Sequence, residues 1–154
     1  MEKGIATMFH QDLSKMVDRI LSNEAPNFDL VIKLINRGAT FNPQRVLELF
    51  YRTEITNGSA YYPDHYLEWI DLLINANAQD TQHPVHKNTI LMWATDRRES
   101  ELVEKLLQAQ TNPNLTNDKG ETALHIAVRN NHPACVNLLL AATNSEEKIA
   151  VKPK

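Results

Sequence analysis

Few residues in this chain are of types that do chemistry, and their spacing keeps most of them apart. His83-Pro84-Val85-His86 brings two imidazoles into one short segment, with His65 some way before them. Two histidines offer a proton-transfer pair or part of a metal site, but zinc wants about four ligands. No cluster of Cys, His or carboxylate at a familiar spacing supplies the others. The single cysteine, Cys135, cannot form an internal disulfide, and its place beside Val136 on an apolar stripe predicts a small buried hydrophobe, not an activated thiolate. The chain has no phosphate-cradling glycine loop, no G-x-S-x-G elbow and no H-E-x-x-H pair. No catalytic residue, no metal and no cofactor is therefore expected, and a reaction using His65, His83 or His86 would have to proceed without a third partner.

The elements that position these residues follow from composition and repetition. With 154 residues, 42% of them hydrophobic and 23% charged, the chain fits one ordinary globular domain and excludes disorder as its main state. Four glycines and seven prolines are too few for a turn-dense all-β chain, so a helix-rich domain is expected. A net charge of −3 gives no cationic field for a phosphate backbone or an anionic membrane, which argues against a nucleic-acid or membrane partner. No apolar run is long enough to span a bilayer and Met1-Glu2-Lys3-Gly4-Ile5 lacks the core of a secretory signal, so a cytoplasmic protein is expected.

The chain repeats itself. Thr89-Ile90-Leu91-Met92-Trp93-Ala94 returns as Thr122-Ala123-Leu124-His125-Ile126-Ala127, and Val103, Leu106 and Leu107 fall on Val136, Leu139 and Leu140 at the same offset of 33. The apolar positions Leu102, Val103, Leu106 and Leu107 form one helical stripe, with Glu101, Glu104 and Lys105 facing away. Thr89 and Thr122 stand where a hydroxyl can cap an opening helix. Each unit thus reads as a short helix, a turn and a longer helix, and units must stack to bury their faces.

Ile70, Leu73 and Ile74 precede Val103, Leu106 and Leu107 by that same offset, and Leu73-Ile74-Asn75-Ala76-Asn77-Ala78-Gln79 echoes Leu34-Ile35-Asn36-Arg37-Gly38-Ala39-Thr40 at an offset of 39. The first helix of that second unit is expected from Pro43 to Glu54, followed by an insertion over Ile55 to Pro63. Tyr66 should open the next helix and pack inward with Leu67 and Ile70. At the front, Leu13, Met16, Val17, Ile20 and Leu21 predict an amphipathic helix, and Leu30, Val31, Leu34 and Ile35 its partner. The units are expected at about 10–42, 43–80, 85–116 and 117–142, in a single domain over 1–142, with 143–154 as a frayed tail. The atypical ends favour a whole protein.

These residues resemble the ankyrin-repeat family, whose pattern runs Gly, Thr-Pro-Leu-His-x-Ala, Gly-His, Val-x-x-Leu-Leu and Gly-Ala-Asp-x-Asn. The last unit is similar to it at Gly120, Thr122-Ala123-Leu124-His125-Ile126-Ala127, His132, Val136 and Leu139-Leu140; the third departs at Lys87 for Gly and Met92 for His. The resemblance implies an all-α solenoid of about four stacked helix-turn-helix units. At the family's own histidine positions, His125 and His132 are expected to fix loop geometry.

The resemblance further implies a protein-protein interaction module that binds on a concave face of loop tips and inner helices, and a monomer. The contact positions carried over are Val85, His86, Asn88, Asp96 and Arg97 in the third unit and Asp118, Lys119, Glu121, Arg129 and Asn130 in the last. Their mixed charge suits a polar protein partner better than a phosphate backbone. Tyr61 and Tyr62 of the insertion form a second candidate contact, since tyrosine offers rigid area with a polar tip. The alternative is an adaptor or inhibitor subunit that regulates an enzyme, or an effector delivered into a host cell. Ser145-Glu146-Glu147-Lys148-Ile149-Ala150-Val151 is similar to the short acidic and apolar tails by which some intracellular bacterial pathogens mark effectors for export, although a disordered polar tail has the same composition.

Overall fold

The computed structural model describes residues 2–23, 27–51 and 66–150. Eight helices run through them: α1 Glu2–Leu21, α2 Phe28–Asn36, α3 Pro43–Tyr51, α4 Tyr66–Asn75, α5 Ile90–Asp96, α6 Ser100–Gln108, α7 Ala123–Arg129 and α8 Pro133–Ala150. No strand occurs among the described residues. The repeat offset holds at the helix boundaries, since α5 maps onto α7 residue for residue and α6 opens one full repeat before α8. Thr89 and Thr122 cap α5 and α7 as their side chains receive the amides of Met92 and His125. Asn27 does the same for α2 through the amide of Leu30 (3.0 Å).

The period is written in the backbone as well. Asn77 and Gln110, Lys87 and Gly120, and Arg98 and Asn131 are pairs one repeat apart, and every one of them has a positive φ of 52–74°. Each pair reverses the chain at one corner of the repeat: after the outer helix, at the loop tip, and between the two helices. Only one of these six positions is glycine, so the other five side chains tolerate a left-handed backbone that L-residues disfavour.

Helices α1, α3, α5 and α7 form one row, each packed on the next, while α5 with α6 and α7 with α8 close as antiparallel pairs. In the second row the Phe28 and Trp69 rings meet edge to face at 4.8 Å, joining α2 to α4, and Lys105 reaches Asp71 across α4 and α6 at 2.7 Å. The buried seam between the rows runs from Leu13, Val17 and Leu21 through Phe50 and Trp93 to Leu106, Cys135 and Leu139.

Several expectations need correction. Helix α1 begins at Glu2, well ahead of the first apolar stripe residue. Met16 and Leu67, expected to face inward, are exposed, each lying at the flank of its stripe where none of the described helices covers it. Helix α8 runs on from Thr143 to Ala150, a segment that neither glycine nor proline interrupts. The insertion Ile55 to Pro63, His65 and the end of the expected helix at Glu54 lie outside the described residues.

Candidate functional site

Two loops of related shape project beyond the ends of α5 and α7. In the first, the His83 amide donates to the Asn88 carbonyl (2.8 Å) and the Lys87 amide to the His83 carbonyl (3.0 Å). In the second, the amides of Asn117 and Gly120 donate to the carbonyls of Glu121 and Asn117, each at 3.0 Å, and Asn117 Oδ1 takes the amides of Lys119 and Glu121. The loops are tied to each other: the Asp118 amide donates to the His86 carbonyl (3.0 Å), and the Gln82 side-chain amide spans Lys87 O and Thr116 O at 3.1 and 2.8 Å. With its donors and acceptors paired inside the loops, this backbone is fixed in place.

Between the loops and the inner helices lies a cleft of about 210 Å³. It brings together His86, Asn88, Asp96, Asp118, Lys119, Glu121 and Arg129, all of them expected contact residues. Its remaining lining, Tyr51, Met92, Asn117 and Ile126, was missed by sequence reasoning. Met92 and Ile126 are buried members of the core that show one edge to the cleft, which helical periodicity registers only as core. Asn117 carried a legible signal, because Asn before Asp-Lys-Gly is an Asx-turn residue. Tyr51 arrives from α3 by a hydrogen bond from its hydroxyl to the Thr89 carbonyl (2.7 Å), 38 residues away, and no local pattern announces that contact.

The charges are partly committed inside the protein. Arg129 pairs with Glu121 across the mouth of the cleft, and the Asp96 carboxylate receives the Asn130 side-chain amide at 3.2 Å. Asp118 and Lys119 are exposed, and Asn88 Oδ1 is buried with no hydrogen-bond partner among the described residues. Three other expected contacts lie apart from the cleft lining. Val85 stands at the loop tip, 76% exposed. Arg97 is half-buried with its guanidinium 4.6 Å above the Trp93 ring, so its charge serves a cation-π contact within the fold. Asn130 ties the two units together, since Arg98 also donates to its carbonyl at 3.0 Å. Tyr61 and Tyr62 lie outside the described residues.

The His83 and His86 rings stack face to face, 3.7 Å apart and 4° from parallel, with the Tyr51 ring edge-on to both. Each Nδ1 accepts a backbone amide, from Val85 for His83 (3.2 Å) and from Asn88 for His86 (3.3 Å). Among the described residues no three His, Cys, Asp or Glu side chains gather as a metal site would need. His125 Nδ1 accepts the Thr122 amide (3.0 Å) and completes a capping box on α7, while His132 Nδ1 accepts the Cys135 amide (3.3 Å) at the start of α8. Cys135 is buried beneath it, and desolvation pushes its thiol above the ordinary value.

A family model described as ankyrin repeats (3 copies) matches residues 59–150, more than half of the chain. The chain belongs to the ankyrin-repeat family. No curated protein matches it. Ankyrin repeats are in general protein-protein interaction modules, and the family is typically non-enzymatic. Among the described residues, no helix of this ankyrin-repeat protein is long and apolar enough to cross a membrane.

Proposed function

We propose that this ankyrin-repeat chain binds a protein partner in the cleft formed by the loops 81–88 and 114–121 with α5 and α7. One observation carries the reading: residues contributed by two units and by the end of α3 meet around an apolar floor of Tyr51, Met92 and Ile126 with a polar, mixed-charge rim. Interfaces between proteins share this anatomy, a desolvated apolar centre ringed by polar groups that fix orientation. The fixed loop backbone favours it further, because a site that is already ordered loses little conformational entropy on binding. Rim charges of both signs select a partner by complementarity and exclude one of uniform charge. An adaptor or inhibitor role would use the same cleft.

The test places a photo-crosslinking residue at Asp118 and, separately, on the outer helix at Glu104. A partner joined from Asp118 and absent from Glu104 defines the face. Reversing the rim charges in the double variant Asp118→Lys, Lys119→Glu should then weaken that partner by about tenfold or more, equivalent to about 1.4 kcal/mol, with the melting temperature unchanged because both side chains are exposed. Full affinity in the double variant would remove the cleft as the binding site.

A further inference from the structure

The outer flank of the fourth unit is built as a seam. In the third unit, Leu91 and Thr95 of α5 and Val103 of α6 are buried, and Leu107 is half-buried, because α7 and α8 lie against them. Their equivalents one repeat further on are Leu124, Val128, Val136 and Leu140. There the same flank is open: Val128 is 60% exposed where Thr95 is 0%, Leu140 is exposed, and Leu124 and Val136 are only partly buried. Leu124 and Val128 are four residues apart on α7, as are Val136 and Leu140 on α8, so the four form one apolar edge. A unit that closes a stack carries polar residues on its outer flank. This one carries the residues of an internal joint.

The chain also has an open edge at its other end. On α1, Ser14 faces the loop that leads into the second unit: its hydroxyl receives the Thr40 amide (2.9 Å) and meets the Thr40 hydroxyl (3.0 Å). Phe9 and Met16, seven residues apart and so on one stripe, lie nearly opposite to Ser14 around the helix. They are 55% and 49% exposed. The face of α7 that covers α5 is apolar as well, made of Ala123, Ile126 and Ala127, all buried.

We propose that copies of this chain stack head to tail, the Phe9 and Met16 flank of α1 seating on the Leu124, Val128, Val136 and Leu140 edge of the next copy. The contact continues the joint already present between α5 and α7, which is why its occupant is another helix pair with an apolar leading flank. None of its residues lines the cleft, and it departs from the monomer expected from the sequence. Because the two surfaces differ, the contact is heterologous and each copy added leaves a fresh edge.

Sedimentation velocity on the full chain across a concentration series should show mass rising beyond a dimer. Val128→Lys with Leu140→Lys, and separately Phe9→Lys with Met16→Lys, should each give monomer, since all four side chains are already exposed and the fold does not depend on them. Mixing the two variants should restore a 1:1 pair that grows no further, because each retains the edge that the other lacks. A wild-type chain that stays monomeric up to about 1 mM, the weakest contact worth the name, would overturn the proposal. So would a Phe9, Met16 variant that still dimerises, which would mean that tail edges pair with each other. Charge reversal at Asp118 and Lys119 should leave the assembly unchanged, so failure here and failure of the cleft are read separately.

Discussion

The two halves of the stack hold their neighbours by different means. From the end of the second unit onward, polar ties recur near the repeat length: Asp80 to the Asn112 amide, Gln82 to Thr116, and, between the third and fourth units, Asp96 to Asn130 and Arg98 to the Asn130 carbonyl, each spanning 32 to 34 residues. In the front half, and beside polar ties such as Lys105 to Asp71 at its junction with the back, aromatic rings tie the units. Phe28 meets Trp69, Phe50 meets Trp93 at 4.8 Å, and the Trp93 indole N–H donates to the Phe50 carbonyl at 3.1 Å. Strict periodicity brings polar groups about one repeat apart within reach of each other. Where turn lengths vary, large rings fill the irregular space and anchor it with one hydrogen bond.

The largest expected effect tests that junction. Trp93→Ala removes a fully buried indole against Phe50, Tyr66 and Arg97, and should cost about 3 to 5 kcal/mol in urea unfolding. It should also split a single transition into two, since the halves would lose their main tie; a loss below about 1 kcal/mol with one transition would refute the aromatic account. Next, Leu139→Ala, in the fully buried seam of the back half, should cost about 2 to 5 kcal/mol, whereas Leu124→Ala on the open flank should cost clearly less. Equal costs would show that the flank is closed in solution.

Thr89→Ala and Thr122→Ala each remove one helix cap and should each cost about 1 kcal/mol. Similar losses would extend the regularity of the back half from geometry to energy, and a threefold disparity would confine it to geometry. The smallest effect concerns the loop tips. Lys87 holds a φ of 62° at the position that Gly120 occupies in the next unit, so Lys87→Gly should raise stability by about 0.5 kcal/mol, the relief of left-handed strain less the added freedom of the unfolded chain. A loss would mean that the lysine side chain contributes contacts which outweigh its strain.

What was legible in the sequence follows the same division. Thr89 and Thr122 announced both helix starts and Pro43 announced α3, because caps and prolines are local physics, whereas the left-handed corner that Lys87 shares with Gly120 was hidden by a residue that reads as a departure from glycine. The cleft rim was legible because its residues recur at fixed places in a repeat. The floor was not. Tyr51 reaches the cleft through a contact 38 residues away, and Arg97, placed at a contact position by the pattern, is drawn onto the Trp93 ring beside it. Periodicity reports which face of a helix turns inward, but not which distant ring waits there. Helix α8 continues past Ala142 because helix propensity can carry a segment that has lost its apolar period.

The row α1, α3, α5, α7, in which each helix packs on the next, has a mechanical consequence. A pull along the stack passes through its joints in series, so every joint carries the full load and the feeblest one decides when the molecule yields. The ring-filled junction at Trp93 and the polar ladder after it would give way at different forces, and a chain stretched by its ends would lengthen in steps.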